Sequence, residues 1–430
     1  MSYLSSINYK NFEKNAINIM AILTCLIPLA LVSGSFLGDF FLSIIAVLFL
    51  FIKNDYLSVR FKNYVIIFFI YNIYIILNSI TSIDPFLSLE SSLFYFRYLF
   101  FVLGVIYIIE NKKYFIFYFS RSLYISLIII IIDSYIQFFT GANILGNVQV
   151  DFTKAFRMSG AFGNYDLVLG RWLAHLLPLA FALLSMQKKI KKYEIIISLI
   201  MLVAIDVLVF ISGERTAFLM LTISTILIIF FIRRFKFLRL VTFCLSILII
   251  TFITVSIPEV KERNIDYTLS QIGVNKDRIY SFSPEHERYF ITALNMFKDN
   301  PIFGHGTKTY RIVCKNKKYS AGPGSCSTHP HNTYMQLLAE TGIVGIVPII
   351  LIFASICYKY FRQLISIVMK EKNYYLEDYQ VCLLAALFIV LWPITTSLNF
   401  YNNWISILYY LPIPFMFADI NRIKSNFNNE

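Results

Sequence analysis

Apolar runs alternate with short polar segments along nearly the whole chain. The runs predict twelve helical spans, at 17–37, 40–52, 64–80, 91–109, 121–139, 166–186, 195–211, 216–232, 239–257, 342–358, 379–398 and 404–419. A helix rises about 1.5 Å per residue, so about 20 apolar residues cross the hydrocarbon of a bilayer. Most of the spans meet that length, and 40–52 is the shortest. One long hydrophilic stretch, 258–341, interrupts the series. Its amphipathic Tyr289–Phe297 segment and its turn signals at Asn300–Pro301 and Gly304–Gly306 predict short helices and ordered turns at a membrane surface.

The polar segments set an orientation. With the N-terminus placed in the cytoplasm, 22 Lys and Arg, from Lys10 to Lys424, fall on the inner side. They include Lys188, Lys189, Arg239 and Arg422. The short outer loops hold only Lys154, Arg157 and Arg215. This asymmetry is what the positive-inside rule expects, and long loops are exempt from it. Both ends are therefore expected to be cytoplasmic. The expected organisation is nine transmembrane helices in 1–257, an outer loop in 258–341, and three helices with a cytoplasmic tail in 342–430. The fold class is an all-α polytopic membrane protein. The first span has no small-residue cleavage site after it, so no cleavable signal is expected.

Composition agrees. Hydrophobic residues make up 58% and charged residues 15%, with 42 Phe, 29 Tyr and a mean hydropathy of +0.67. Such a chain cannot hide its apolar surface as a soluble enzyme, a secreted disulfide domain or a disordered tail. The net charge of +13 would suggest nucleic acid on a soluble protein. Here the cations flank apolar segments and set orientation, so no nucleic-acid partner is expected.

Ionisable residues inside spans are costly and point to function or to pairing. Arg97, Asp133, Arg171, His175, Asp206 and Arg215 stand out. Counted along their helices, Arg97, Asp133, Arg171 and Asp206 fall in the outer half. Two readings stay open for these four: mutual pairing that holds helices together, or the lining of a cavity open to the outside. A transporter would place polar groups at the midplane. Arg215 follows Ser212-Gly213-Glu214 at the outer mouth of a helix, where a guanidinium can reach an anion at headgroup level.

The most informative stretch runs from His329-Pro330-His331-Asn332 through Gln336 and Glu340 to Gly342 and Gly345. Imidazole titrates near neutrality, so His331 can take a proton from a hydroxyl; His329, two residues away, is the rival. Gln336, Leu337 and Glu340 recur at helical spacing, which places the histidine at the start of a helix dipping into the bilayer. The glycines permit close helix packing.

Here the chain resembles the O-antigen ligase and O-antigen polymerase superfamily of bacterial inner membranes, whose pattern is His-Asn, nine residues, then Gly-x-x-Gly. The segment from Arg288 to Asp299-Asn-Pro-Ile-Phe-Gly-His-Gly306 resembles the family's Asp-x-Pro-x-x-Gly-x-Gly region. Ser212-Gly-Glu-Arg215-Thr216 resembles its Ser-x-x-Arg-[Ser/Thr] helix start. Arg157-Met-Ser-Gly160-Ala-Phe-Gly163-Asn164 resembles its Arg-x-x-Gly-x-x-x-Asn loop. Tyr165-Asp166 departs from the usual Pro-Asn, and no role is carried over for that pair.

The resemblance implies a donor glycan on undecaprenyl pyrophosphate, presented in the outer leaflet. It implies a lipid A-core acceptor for a ligase, or a second lipid-linked repeat unit for a polymerase. Arg suits pyrophosphate because its fork binds phosphate oxygens bidentately and stays charged. Arg215 and Arg288 are expected to hold the pyrophosphate and His331 to activate the acceptor hydroxyl. Arg157, Asn332, Arg171, Arg97 and His329 are expected to contact substrate. No metal and no cofactor are expected: Glu285-His286-Glu287 invites a zinc reading, but no further ligand stands at helical spacing. His305 is expected to serve turn geometry, and Lys315, Lys317 and Lys318 to be a solvated run.

An outer loop facing an oxidising periplasm makes Cys314–Cys326 an expected disulfide. Cys25, Cys244, Cys357 and Cys382 are expected to be buried apolar fillers. The large loop favours the ligase over the polymerase. A flippase and a non-catalytic envelope scaffold are the rivals from other classes.

Overall fold

The computed structural model describes residues 2–53, 55–151, 156–163, 166–187, 190–274, 279–280 and 282–419. Lys154, Asn164, Tyr165, Lys188, Lys189, Arg422 and Lys424 lie outside the described residues.

The apolar runs fold as helices. In chain order they are α1 (Ser2–Ala30), α2 (Ser35–Leu50), α3 (Asp55–Arg60), α4 (Lys62–Ile80), α5 (Pro85–Ser92), α6 (Arg97–Asn111), α7 (Phe115–Thr140), α8 (Leu169–Met186), α9 (Lys192–Ile211), α10 (Arg215–Phe231) and α11 (Lys236–Ser256). The long hydrophilic stretch carries α12 (Pro258–Lys261), α13 (Tyr267–Ile272), α14 (Pro284–Asp299) and α15 (Tyr310–Val313). Then come α16 (Thr333–Val368), α17 (Asp378–Val390), α18 (Asn403–Tyr410) and α19 (Ile413–Phe417). Eight segments among the described residues are long and apolar enough to cross a membrane, and Ser35–Leu50, Arg215–Phe231 and Asp378–Val390 are shorter apolar helices. The fold is an all-α polytopic membrane protein. Between α7 and α8 a two-residue ladder pairs Val150 with Arg157 and Asp151 with Phe156.

Many large apolar side chains point outward, such as Ile70, Phe139, Phe252 and Leu351. Lipid solvates them at no hydrophobic cost, and the helical backbone satisfies its own polar groups. The core forms around α8, which is buried from Leu169 to Leu184 and packs against α7, α9, α10 and α17.

Four expectations about the spans are corrected. The helix of 342–358 begins at Thr333, runs to Val368 and is kinked at Gly342. The span 379–398 stops at Val390, because Pro393 follows and the carbonyls beyond it are taken by side chains of the histidine motif. The span 404–419 breaks between Tyr410 and Ile413, at Pro412. The span 91–109 is preceded by a separate short helix, α5, with a turn before Arg97.

For Asp206 the pairing reading holds. Both its oxygens accept from Arg239, at 2.7 and 2.9 Å, and Ser246 adds a bond at 3.0 Å. Arg239 also bonds Thr225, which lies beyond the midpoint of α10 counted from Arg215. The pair is sealed between α9, α10 and α11, away from any outer cavity. By sequence Arg239 counts as an inner-loop cation, but its long stem reaches along the helix and buries the charge against a carboxylate. Asp133 is likewise structural: it accepts from Asn143 Nδ2 at 3.0 Å and from the Ile144 N–H at 3.1 Å, fastening the turn after α7.

Among the cysteines outside the loop, Cys382 is buried but Cys244 and Cys357 are exposed on α11 and α16. The filler reading is wrong for those two, which face outward among apolar neighbours such as Leu248 and Phe361.

Candidate functional site

The site has an arginine half and a histidine half. The arginine half forms where α8 and α10 begin on the face that carries the long loop. Gly170 lies in the first turn of α8, and a Cβ there would stand 2.8 Å from Ser212 Oγ and 3.2 Å from Glu214 Cβ. Its absence lets the Glu214 carboxylate reach the helix start, where it accepts the N–H of Gly170 at 2.6 Å and of Arg171 at 3.3 Å. These donors have no partner within their own helix, and a carboxylate there also suits the positive end of the helix dipole. Glu214 is buried and sits within the fields of Arg157 and Arg171. The Met158 N–H donates to the Ser212 carbonyl at 3.2 Å, which ties the Arg157 strand to the same corner.

Arg215 follows at the first position of α10. Its Nη1 donates to Thr268 Oγ1 at 3.0 Å, and its Nη2 to Gln271 Oε1, both from α13. Arg263, from the π-helical segment Glu262–Asp266 between α12 and α13, donates Nε and Nη2 to the Gly213 carbonyl at 3.2 and 3.1 Å. Tyr267 serves both, with its ring centroid 5.4 Å from each guanidinium carbon. Burial, together with the charges of Arg157 and Arg215, pulls Arg263 down to about 10. Burial and the Arg171 charge also lower Arg157, against the pull of Glu214. Arg157 Nε and Arg171 Nη1 are buried without a hydrogen-bond partner among the described residues.

The histidine half is built on the start of α16. Asn332 is its N-cap: Oδ1 accepts from the N–H groups of Tyr334 and Met335 at 3.0 and 3.1 Å. Its Nδ2 donates to the carbonyls of Pro393 and Thr395 at 2.9 and 3.0 Å. The whole amide is used by the fold, which assigns Asn332 to structure rather than substrate. His331 has φ 56°, in the left-handed region, and its carbonyl accepts the Ser397 N–H at 2.7 Å. Pro330 before it and the N-cap after it hold this uncommon backbone in place.

The two histidines divide the roles. His329 is buried; its Nε2–H donates to the Ser397 carbonyl at 3.2 Å and its Nδ1 meets Thr328 Oγ1 at 3.0 Å. Both nitrogens are engaged, so His329 supports rather than reacts. His331 is half-buried and, among the described residues, its ring makes one hydrogen bond, Nε2 to Ser327 Oγ at 3.3 Å. Burial and the positive fields of His286 and Arg171 push His331 down to about 4. It is therefore neutral at pH 7 and able to accept a proton.

The disulfide loop and α14 complete this half. Cys314 and Cys326 are joined, with Cα atoms 5.1 Å apart, immediately before Ser327. Ser283 caps α14 and meets His286 Nδ1 at 2.8 Å. The His286 ring packs edge-to-face on His331 with centroids 5.5 Å apart, and Tyr289 lies 5.6 Å from His331. Arg288 is half-buried beside Glu285 at 3.5 Å, and its Nε is buried without a partner among the described residues. No group of three His, Cys, Asp or Glu side chains among the described residues is placed to hold a metal.

The glycine motifs join the loop to the membrane helices. Gly342 has φ 58° and ψ −161°, and a Cβ there would lie 2.3 Å from the Ile302 carbonyl oxygen. At this kink the N–H groups of Ile343 and Val344 donate to Pro301 and Ile302, at 2.9 and 3.3 Å. A Cβ on Gly304 would meet the Glu340 carbonyl carbon at 2.5 Å. The segment 299–306 and the Gly-x-x-Gly are thus one contact, and His305 serves that turn through Met296 and Ala339. Glu340 and Gln336 are buried fasteners, bonded to each other at 2.9 Å and to Tyr310 and Phe400 backbone N–H groups. Lys318 pairs with Asp299 at the surface.

Arg215, Arg171, Arg288 and His331 converge through shared neighbours. Arg171 acts on His329 and His331, Arg215 acts on His286, and Arg288 sits on the same helix two residues beyond His286. Arg157 joins them through Glu214. Arg97 does not: it pairs with Asp39 at 2.9 Å and stacks on Tyr98, and Asn403 also donates to Asp39. His175 donates its Nδ1–H to the Arg171 carbonyl, 2.7 Å away, and lies beside Tyr409. Sequence reasoning missed Glu214 as a site residue, together with Arg263, Tyr267, His286 and Ser327. An acid directly before Arg215 at a helix start was a usable signal; nothing local marks Arg263.

Residues 196–350 match the sequence model of the O-antigen ligase family. That family covers O-antigen ligases and polymerases, which are glycosyltransferase-like enzymes acting on lipid-linked glycans. No curated protein matches the chain.

Proposed function

We propose that this chain, which carries an O-antigen ligase domain over residues 196–350, is an inner-membrane glycosyltransferase. It moves a polysaccharide from undecaprenyl pyrophosphate onto the lipid A-core oligosaccharide at the periplasmic face. The observation that carries this reading is the convergence of a neutral, accessible imidazole, His331, with guanidiniums that outnumber the carboxylates beside them.

In this reading Arg215 and Arg288 hold the pyrophosphate and His331 takes the proton of the acceptor hydroxyl. The acceptor oxygen bonds to the anomeric carbon as the bond to the phosphate oxygen breaks. That oxygen keeps the electron pair, and fixed guanidiniums bind it more strongly as its charge grows. One direct displacement inverts the anomeric centre. The scheme uses no metal and no cofactor.

The polymerase reading uses the same residues with a lipid-linked repeat as acceptor. Deletion of the gene separates the two. A ligase loss leaves long lipid-linked polymer and bare core; a polymerase loss leaves core bearing one repeat unit.

A further inference from the structure

Two features of the loop wall the side of His331 that faces α14 and the disulfide. The first is an aromatic face. The stripe of α14 that buries Ala293 and Met296 against Tyr310 and Val313 continues toward the helix start as Tyr289 and His286, where it is only half-buried. The Tyr289 ring centroid lies 5.6 Å from that of His331, and its hydroxyl makes no hydrogen bond among the described residues. The second feature is Arg311 of α15. The disulfide ties Cys314, three residues after Arg311, to Cys326, the neighbour of Ser327. The buried Tyr310 donates its hydroxyl to the carbonyls of Tyr289 and Ser325, each at 3.2 Å. Arg311 is thus held in one frame with Tyr289 and Ser327. Its charge is felt at His329, whose ring centroid is 4.1 Å from that of His331.

Among the described arginines of the loop, Arg311 alone is unspent. Arg263 bonds the Gly213 carbonyl and Arg288 sits beside Glu285, whereas Arg311 makes no hydrogen bond or ion pair among the described residues. It is half-buried, and its Nε is buried without a partner. Glu340 lies within its field but is sealed in the fold, where it accepts from the Tyr310 N–H and the Gln336 amide. A guanidinium half withdrawn from water with no counter-ion is costly unless an anion joins it.

We infer that Tyr289 and Arg311 form an acceptor subsite for an acidic glycan: a sugar ring packs on the Tyr289 ring beside His331, and Arg311 takes a carboxylate or phosphate carried by that sugar or its neighbour. This rests on the glycosyl-transfer reading above. Direct displacement puts the entering hydroxyl and the leaving phosphate on opposite sides of the anomeric carbon, and the entering oxygen gives its proton to His331. The acceptor therefore belongs on the α14 and disulfide side of His331. The C–H face of a sugar suits an aromatic face with a polar tip, and a free guanidinium fork suits a carboxylate or phosphate. The acid group takes no part in the bond change, so its contact with Arg311 is equal before and during transfer. Such a contact lowers KM for the acceptor and leaves kcat alone.

The test uses the full chain in lipid nanodiscs and the core oligosaccharide freed of lipid A, in three forms: native, with phosphates removed, and with carboxylates reduced to alcohols. Equilibrium binding of each form is measured beside steady-state transfer. The wild type should bind one treated form at least about tenfold more weakly than the native form, and which form it is identifies the acid group. Arg311→Gln should bind the native form as weakly as the wild type binds the treated one, and should be insensitive to the treatment. That non-additivity reports a direct contact, which a general loss of structure does not mimic. In transfer, Arg311→Gln should raise KM for the acceptor with kcat and KM for the donor nearly unchanged, and Arg311→Lys should recover part of the loss. Tyr289→Leu should weaken all three forms alike. Equal binding, or no binding, of the three forms by the wild type overturns the inference, and this arm decides if Arg311→Gln does not fold. A folded Arg311→Gln that is as sensitive to the treatments as the wild type, or a Tyr289→Leu that binds like the wild type, also overturns it. Binding that depends on Arg311 and the acid group, in a wild type that transfers no glycan, would instead defeat the transferase reading and leave the subsite standing.

Discussion

The rings of His286 and His331 meet edge to face, with centroids 5.5 Å apart and planes at 74°. The two belong to different elements, α14 and the entry to α16, so the contact locks the loop helix onto the histidine motif. It also sets the proton affinity of His331, because burial comes first and the His286 charge second among the causes that depress it.

A pH profile follows from that relationship. A base held down to about 4 is fully neutral at pH 7 and loses activity only as pH falls toward 4. His286→Gln removes a neighbouring positive field, so the affinity of His331 for a proton rises. The acidic limb of the kcat/KM profile should then move to higher pH while the plateau near neutrality persists. An unmoved limb would show that the two rings are not coupled.

The disulfide predicts a second outcome. Cys314 and Cys326 close a short loop that ends beside Ser327, the hydrogen-bond partner of His331. Cys314→Ser with Cys326→Ser should lower stability by about 3 kcal/mol at most. It should reduce kcat more than donor binding, because it loosens the base and leaves Arg215 in place. Thermal unfolding and transfer kinetics, read together, check both parts.

A third outcome concerns the kink. A Cβ at Gly342 would collide with the Ile302 carbonyl, in a backbone region that other residues rarely adopt. Gly342→Ala should cost at least about 2–3 kcal/mol and separate segment 299–306 from α16. A Cβ at Gly345 would stand 2.3 Å from Thr341 Cβ, which is fixed to the backbone, so Gly345→Ala should also destabilise the start of α16, without the added cost of a positive φ. Detergent-solubilised melting curves check both variants; a Gly342→Ala protein as stable as the wild type would contradict the geometry.

The helical spans were legible because apolar length alone specifies a membrane helix, and the positions of Arg215, Arg288 and His331 followed from motifs. The ends of the later helices were not legible. Pro393 and the side chains of Asn332 and Tyr334 override apolar character there, and those contacts are separated by about sixty residues. Ion pairs were hidden for the same reason: Arg239 lies far from Asp206 in sequence, and Arg97 finds Asp39 on a different helix. Asn332 matched a substrate-binding pattern, but its amide is wholly engaged in capping and cross-linking. Arg263 sits in an ordinary loop sequence and gains meaning only beside Gly213 and Tyr267.

The central claim is most directly tested by glycosyl transfer in a purified system. The wild-type chain, undecaprenyl-pyrophosphate-linked glycan and lipid A-core acceptor are combined in liposomes without added metal or nucleotide. Product should form, and His331→Ala, Arg215→Ala and Arg288→Ala should each reduce kcat/KM by at least about a hundredfold with the protein still folded. Transfer at wild-type rates by His331→Ala, or by both arginine variants, would contradict the account.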